Sequence, residues 1–358
     1  SAGFFFRSRF LRLTDRAPSP RSINLDISWG CNLNCVMCSA SRRVSNTSEK
    51  IISPEKFKLI LAQLPKLRYI HFMGLGEPLM NPHFFELLDI AQSRNIKATL
   101  ITNGTLLHED SIRKLSDNLF KIYVSLDGVS GEEFGQIRRG ANFSSVIENI
   151  KKLRKLKPQI ELCILTILMK ETIKNLPVMV KLAKELDVGC IGLGHVLSLD
   201  QDNDQRFVGP RTEKAEYYLE IVKRLAKKYK IKIISRPLSP QARSCWQPWL
   251  DPLIMVDGNI YPCCFMDRSP NPADTEWYLG TPIKVPFCQY QMGNIFTDSF
   301  AKIWNCEDFK LLRRKIKEFE KGPKALSVAE LNLKRQHLNS AEKFSYCEIC
   351  LWRWTSAC

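Results

Sequence analysis

Between residues 22 and about 200 the chain alternates short apolar runs with amphipathic stretches of helical length, and this alternation restricts the fold more than any other feature. The apolar runs are Ile23–Ile27, Tyr69–Met73, Ala98–Ile101, Ile122–Leu126, Glu161–Ile167 and Gly189–Gly194. Helical spacing falls between them at 54–63, 83–94, 109–117, 143–155 and 175–186, with start signals such as Ser53-Pro54 and Asn81-Pro82. Repeated strands joined by crossovers of this length imply a parallel sheet. Six such units fall short of the eight that close a barrel. The expected fold class is therefore α/β, a partial (β/α)6 TIM-like barrel open on one side, with functional groups at the C-terminal ends of its strands.

Past residue 200 the texture changes. A polar, acidic stretch (Asp200–Asp204) leads to a helix at about 212–229 and a short strand, Ile231–Ser235. From Cys245 onward cysteines, prolines, tryptophans and hairpin signals dominate. This divides the chain into an N-terminal arm (1–21), a barrel core (22–211), a connecting helix and strand (212–244) and a small C-terminal α+β domain (245–358). Residues 268–287 read as an irregular loop, 309–321 as one helix, and 322–344 as a polar, partly helical insertion. The arm mixes aromatic and basic residues and ends in Pro18-Ser19-Pro20, which suits a docking segment. No apolar stretch is long enough to span a membrane and the N-terminal segment lacks a signal peptide's apolar core, so a cytoplasmic protein is expected.

The chain holds 13 cysteines in 358 residues, many for a cytosolic enzyme without metal, whereas secreted disulfide proteins of this density are far shorter. Three of them, Cys31, Cys35 and Cys38, lie in C-x3-C-x2-C spacing directly after the first strand. Three thiolates in one tight loop can hold three irons of a [4Fe–4S] cube and leave the fourth open to a non-protein ligand. A zinc site would want four ligands in paired C-x2-C groups.

Further motifs stand at the ends of later strands. Met73-Gly74-Leu75-Gly76-Glu77-Pro78 sets a carboxylate beside glycines, an arrangement that admits an ammonium group closely. Thr102-Asn103-Gly104 reads either as a turn or as a ligand contact. In Ser125-Leu126-Asp127-Gly128, Ser125 and Asp127 alternate onto one face and can offer hydrogen bonds to a ligand there. Ile137-Arg138-Arg139-Gly140 offers a guanidinium for bidentate carboxylate binding, with Arg138 in the favoured register and Arg139 the alternative. His195 ends the sixth strand, as a structural residue or facing adenine or substrate. Cys163 and Cys190 fall on strands and read as buried packing thiols.

In the C-terminal part, Cys245, Gly258 and Cys263 frame an Asp257-Gly258 hairpin signal flanked by Leu253–Val256 and Asn259–Tyr261. Cys347 and Cys350 supply a second pair. These four thiols suit one further [4Fe–4S] cluster, or a structural zinc if taken alone.

Residues 22–200 resemble the core of radical S-adenosylmethionine (SAM) enzymes, and 245–358 resemble the auxiliary-cluster extension called SPASM or its shorter relative, twitch. The resemblance implies that Cys31, Cys35 and Cys38 carry the catalytic cluster, with SAM ligating its fourth iron. It implies a SAM site formed by Met37, Gly74, Gly76, Glu77, Thr102, Asn103, Ser125, Asp127, Arg138 and His195. The residue before the third cysteine is usually aromatic in the family; Met37 stands there instead, and a thioether can still pack on adenine. One auxiliary cluster on Cys245, Cys263, Cys347 and Cys350 is expected. Cys264, Cys288, Cys306 and Cys358 remain as spare thiols, of which Cys264 and Cys288 are candidate hydrogen-atom donors to a product radical.

The expected activity is that of a radical SAM oxidoreductase removing hydrogen from an unactivated C–H. The expected substrate is a ribosomally made peptide, modified by crosslinking, epimerisation or excision, with dehydrogenation or epimerisation of a sugar or aminocyclitol as the alternative. An electron donor such as flavodoxin or ferredoxin is implied. The formal net charge of +16 favours an anionic partner, though Lys151, Lys152, Lys155 and Lys157 sit at the spacing of a solvated helix face. An iron–sulfur carrier would need neither Glu77, Arg138 nor the Ser125/Asp127 pair, and nucleic acid is not an expected partner.

Overall fold

The computed structural model describes residues 14–38, 50–196, 201–209, 212–235, 238, 245–264, 275–278, 280–284, 290–322, 326–337, 344 and 346–350. Its frame is a run of parallel strands: β1 (Ser22–Leu25), β2 (Tyr69–Phe72), β3 (Lys97–Thr102), β4 (Leu119–Ser125), β5 (Glu161–Leu168), β6 (Cys190–His195) and β7 (Lys232–Ile234). Each pairs with its sequence neighbour, as crossover helices on one face require. The strand expected in the connecting segment is β7, which adds a parallel strand beyond the six. In the C-terminal part, β8 (Leu253–Ile254) pairs parallel to β1, and β9 (Asn259–Tyr261) returns antiparallel to it. Then come β10 (Thr275–Tyr278), β11 (Thr281–Lys284) and β12 (Gly293–Asn294). The resulting 10-stranded sheet runs β12-β9-β8-β1-β2-β3-β4-β5-β6-β7 and does not close. A partial barrel is therefore the architecture, with the C-terminal hairpin continuing the sheet from its β1 side.

The crossover helices form where caps and apolar stripes agree. Ser53 caps Pro54–Ala62 by accepting from the Lys56 amide, with proline at the first turn. Asn142 caps Phe143–Leu156 by accepting from the Ser145 amide. The latter helix turns Val146, Ile150 and Leu153 onto the sheet, each fully buried side chain contributing about 1.5–3 kcal/mol. Phe84–Ser93 and Leu176–Glu185 pack in the same way. One continuous hydrophobic core includes Leu25, Phe72 and Ile164 of the barrel and Ile254, Ile260, Trp304 and Phe309 of the C-terminal part.

Two stretches differ from expectation. Part of the supposed irregular loop at 268–287 is an antiparallel hairpin, β10 paired with β11. The acidic stretch before residue 205 belongs to a short helix, Gln201–Arg206, where Asp204 accepts from the Gly280 amide at 2.6 Å and so ties that hairpin to the barrel. Both depend on contacts between distant segments and have no local signature.

The described part of the N-terminal arm docks within the chain. Ala17 and Asn305 exchange two hydrogen bonds, and the Trp304 indole donates to the Pro18 carbonyl at 2.8 Å. Arg313, 0% exposed on helix Glu307–Phe319, donates to the carbonyls of Pro248, Asp15 and Trp304 and to Asn305 Oδ1. Its guanidinium lies over the rings of Trp304 and Phe309. Among the described residues, no helix is long and apolar enough to cross a membrane.

Candidate active site

The loop after β1 carries the three close-set cysteines, and it is pinned to the segment after β4. The Asn34 amide donates to the Arg139 carbonyl at 3.0 Å and the Val36 amide to the Ile137 carbonyl at 3.0 Å. Within the loop, the Cys38 amide closes a turn onto the Cys35 carbonyl. Cys31 is exposed, Cys35 buried and Cys38 between the two, and all three line one cavity of about 210 Å3. Asn103 Nδ2 lies 3.8 Å from Cys31 Sγ, and Arg138 Nη1 lies 3.8 Å from Cys35 Sγ. Burial pushes the thiols of Cys31 and Cys35 up, that of Cys35 to about 11 despite the Arg138 charge, so a bound cation is what would hold them as thiolates.

The turn after β2 forms the opposite wall. A Cβ on Gly76 would stand 1.8 Å from the Ser28 carbonyl oxygen, so only glycine lets this turn lie against the end of β1. That approach brings the Glu77 amide onto the Gly30 carbonyl at 2.8 Å. The Glu77 side chain is 2% exposed. Its Oε1 accepts from Thr102 Oγ1 at 2.7 Å and the Leu79 amide at 3.2 Å, and Oε2 accepts from the Asn103 amide at 2.7 Å. Burial raises its pKa while those donors oppose the rise. Asn103 further binds Asn32 Oδ1 at 2.9 Å, and Asn32 in turn donates to Thr105, so the turn after β3 is tied to the cysteine loop. The sequence reading missed Asn32, although its position between two candidate ligands was a signal.

Ser125, Arg138 and His195 complete the wall from the ends of β4 to β6, with Met37 and Gly74 also on the lining. Arg138 is the arginine that faces the cavity; Arg139 is exposed and contributes its backbone carbonyl. The His195 ring stacks on Phe207 with centroids 5.4 Å apart. Met37 packs in a small apolar cluster with Ile137, Met169 and Val196.

Asp127 departs from the expected ligand contact. It is 0% exposed and does not line the cavity. Oδ2 accepts from Arg138 Nε at 2.8 Å and pairs with Nη2 at 2.6 Å, while Oδ1 accepts from Thr166 Oγ1 at 3.2 Å and the Ile167 amide at 2.5 Å. Both carboxylate oxygens are thus engaged within the protein. Alternation sets Asp127 on the face of Ser125, but Arg138 and the end of β5 engage its carboxylate and keep it from the cavity.

In the C-terminal part, the thiols of Cys245, Cys347, Cys350 and Cys264 all act on Cys263, whose pKa is raised well above the usual thiol value first by burial and then by these neighbours. Cys264 thus stands with Cys245, Cys347 and Cys350 among the neighbours of Cys263. Cys306 lies instead beside Arg313. Cys288 and Cys358 lie outside the described residues. Cys163 and Cys190 are buried in register on β5 and β6, with their sulfurs 2.7 Å apart.

These residues fit an iron–sulfur cluster facing SAM. Three thiols share one loop, N–H donors approach two of their sulfurs, and carboxylate, hydroxyl and guanidinium groups ring the adjoining cavity.

Comparison with known proteins agrees. The family model of the radical SAM superfamily matches residues 26–183, and that of the SPASM iron–sulfur cluster-binding domain matches residues 245–326. A tungsten-containing aldehyde ferredoxin oxidoreductase cofactor-modifying protein of Pyrococcus furiosus is 26% identical over 304 residues, 81% of this chain and 82% of its own length. An AdoMet-dependent heme synthase of Methanosarcina barkeri is 24% identical over 322 residues, 82% of this chain and 85% of its own. In three dimensions the chain is similar to anSMEcpe with bound AdoMet, with a TM-score of 0.63 at 21% identity over 92% of this chain and 94% of that one. It is also similar to Streptococcus suis SuiB bound to S-adenosylmethionine, with a TM-score of 0.64 at 16% identity over 84% of this chain and 69% of that one.

Proposed function

Because the chain belongs to the radical SAM superfamily and carries a SPASM domain after its barrel, we propose that it is an oxidoreductase acting on an unactivated C–H of an acidic peptide. The observation that carries this reading is the convergence of Cys31, Cys35, Cys38, Glu77, Ser125, Arg138 and His195 on one cavity at the strand ends. When bound there, a reduced [4Fe–4S] cluster and SAM supply a 5′-deoxyadenosyl radical.

The residues divide the work. Cys31, Cys35 and Cys38 provide three thiolates and leave one iron for SAM. Glu77 Oε2 has one acceptor position left beside the Asn103 amide, suited to the SAM ammonium group. Arg138 offers its remaining N–H groups to the SAM carboxylate, and Ser125 its hydroxyl to the ribose. Gly74 and Gly76 bring backbone close to the ligand. Met37, Ile137, Met169 and Val196 exclude water from the apolar side. His195 borders the space between cofactor and substrate.

Cys245, Cys263, Cys347 and Cys350 would hold an auxiliary [4Fe–4S] cluster, which would supply an electron acceptor for a net oxidation. In the redox-neutral alternative, Cys264 or Cys288 would instead return a hydrogen atom to the product radical. A reduced flavodoxin or ferredoxin delivers the initiating electron, in a reducing compartment such as the cytoplasm.

The charge of +16 and the open side of the sheet support an extended acidic substrate. A second reading, in which a cofactor is modified, is favoured by the names of the two relatives that span about four-fifths of this chain. The test is to incubate reconstituted, dithionite-reduced protein with SAM and either perdeuterated Asp/Glu-rich peptides or deuterated tetrapyrroles. Deuterium in 5′-deoxyadenosine from the peptides supports the first reading, and from the tetrapyrroles the second. No 5′-deoxyadenosine under any condition removes both.

A further inference from the structure

Asp127 and Arg138 form a buried pair that a SAM-binding role alone does not require. One oxygen of the Asp127 carboxylate, Oδ2, accepts from Arg138 Nε at 2.8 Å and lies 2.6 Å from Nη2, which holds the Nε edge of the guanidinium. Its other oxygen is anchored by the Ile167 amide and Thr166 Oγ1, at the end of the neighbouring strand β5. So held, Arg138 turns Nη1 toward Cys35 Sγ at 3.8 Å. Asp127 itself does not line the cavity; its oxygens go to Arg138, Thr166 and the Ile167 amide.

We propose that Asp127 is a positioning residue that clamps Arg138 against the Cys35 sulfur, and that this ion pair sets the reduction potential of the cluster carried by Cys31, Cys35 and Cys38. The inference rests on the radical SAM reading above and assigns Asp127 a role other than cofactor contact. Reduction adds negative charge to the cluster. An N–H donor and a positive charge at a ligating sulfur stabilise the reduced form and raise the potential. The carboxylate behind the guanidinium offsets part of that field and, by holding the Nε edge, keeps the donor aimed. Removing either partner therefore shifts the potential in opposite directions.

The test uses the full-length, reconstituted protein and dye-mediated redox titration without SAM, followed by electron paramagnetic resonance, reading in every variant the signal that SAM perturbs in the parent. Asp127→Asn can keep an amide oxygen on Arg138 Nε, so the donor stays aimed while its charge is less compensated, and the midpoint is expected to rise. Arg138→Gln removes the donor and the charge and is expected to lower it. Asp127→Glu keeps the charge and is expected to stay nearer the parent than Asp127→Asn. The signal that does not respond to SAM should keep its midpoint throughout, with the same iron count per chain.

Opposite shifts in the Asn and Gln variants support the inference. Shifts of the same sign, or none, overturn it. Loss of the SAM-responsive cluster from all three variants also overturns it, since the pair would then be scaffold alone. A parent protein with iron but no SAM-responsive signal fails the radical SAM reading itself, a different result from a parent that responds while its variants do not shift.

Discussion

Replacing Glu77 with glutamine tests whether the buried carboxylate binds cofactor or only braces three strand ends. The substitution keeps shape and removes charge. In the parent, Oε1 has two donors, Thr102 Oγ1 and the Leu79 amide, and Oε2 has the Asn103 amide. A glutamine must put an NH2 group where one oxygen stood. Facing Asn103, it sets two donors against each other. Facing Thr102, it strands the Leu79 amide, and Thr102 must turn a hydroxyl that already accepts from Gly104 at 3.1 Å. Either way one buried backbone donor loses its partner, which costs about 1–3 kcal/mol of stability. Lost separately is the charge-assisted bond to the SAM ammonium, worth about 1.5–3 kcal/mol, or about a 10- to 100-fold rise in Kd. Urea unfolding reads the first effect and anaerobic equilibrium dialysis with labelled SAM reads the second. Thr102→Val, which removes one donor and keeps the carboxylate, should lose stability with a smaller change in Kd. Glu77→Gln that loses stability and binds SAM as tightly as the parent would refute the ligand role.

Three other perturbations follow from the same geometry. Gly76→Ala places a methyl group 1.8 Å from the Ser28 carbonyl oxygen and must break the Glu77 amide bond to Gly30, so a loss of at least about 1–3 kcal/mol in thermal or urea unfolding is expected together with loss of SAM binding. Arg313→Met takes the donor from the carbonyls of Pro248, Asp15 and Trp304 and should cost about 3 kcal/mol or more, with faster proteolysis between residues 14 and 20; unchanged cleavage would show that the arm is held some other way. Burial lowers the pKa of His71, which bonds Ser22 and Thr99, so the folded state favours the neutral ring. That contribution is complete above the unfolded value near 6.5 and drains as pH falls below it; His71→Gln should flatten the melting temperature between pH 7 and 5, and an unaltered slope would contradict the assignment.

The parts of the site that each belong to one strand end were legible in the sequence. C-x3-C-x2-C, the glycines before Glu77 and Ser125 each sit in a few consecutive residues, and the β/α alternation placed those residues at the same end of the sheet. What escaped depends on pairs of segments. Asp127 is removed from the cavity by Arg138, eleven positions on, and by the end of β5, neither of which local alternation can foresee. The hairpin of β10 and β11 is held by Asp204, far from it in sequence. Strand β7 looked like a connector because its partner, β6, closes the preceding unit. The arm's docking partner, Arg313, read as one of many basic residues on a polar helix.

The central claim is that SAM binds the vacant iron of a cluster on Cys31, Cys35 and Cys38, next to Glu77 and Arg138. Electron–nuclear double resonance on the reduced protein with SAM labelled by 15N at its amino group and 17O at its carboxylate tests it most directly. The account predicts strong coupling from both labels, absent when the three cysteines are replaced by alanine while the auxiliary signal remains. Labels that leave the parent's cluster spectrum unchanged would contradict it.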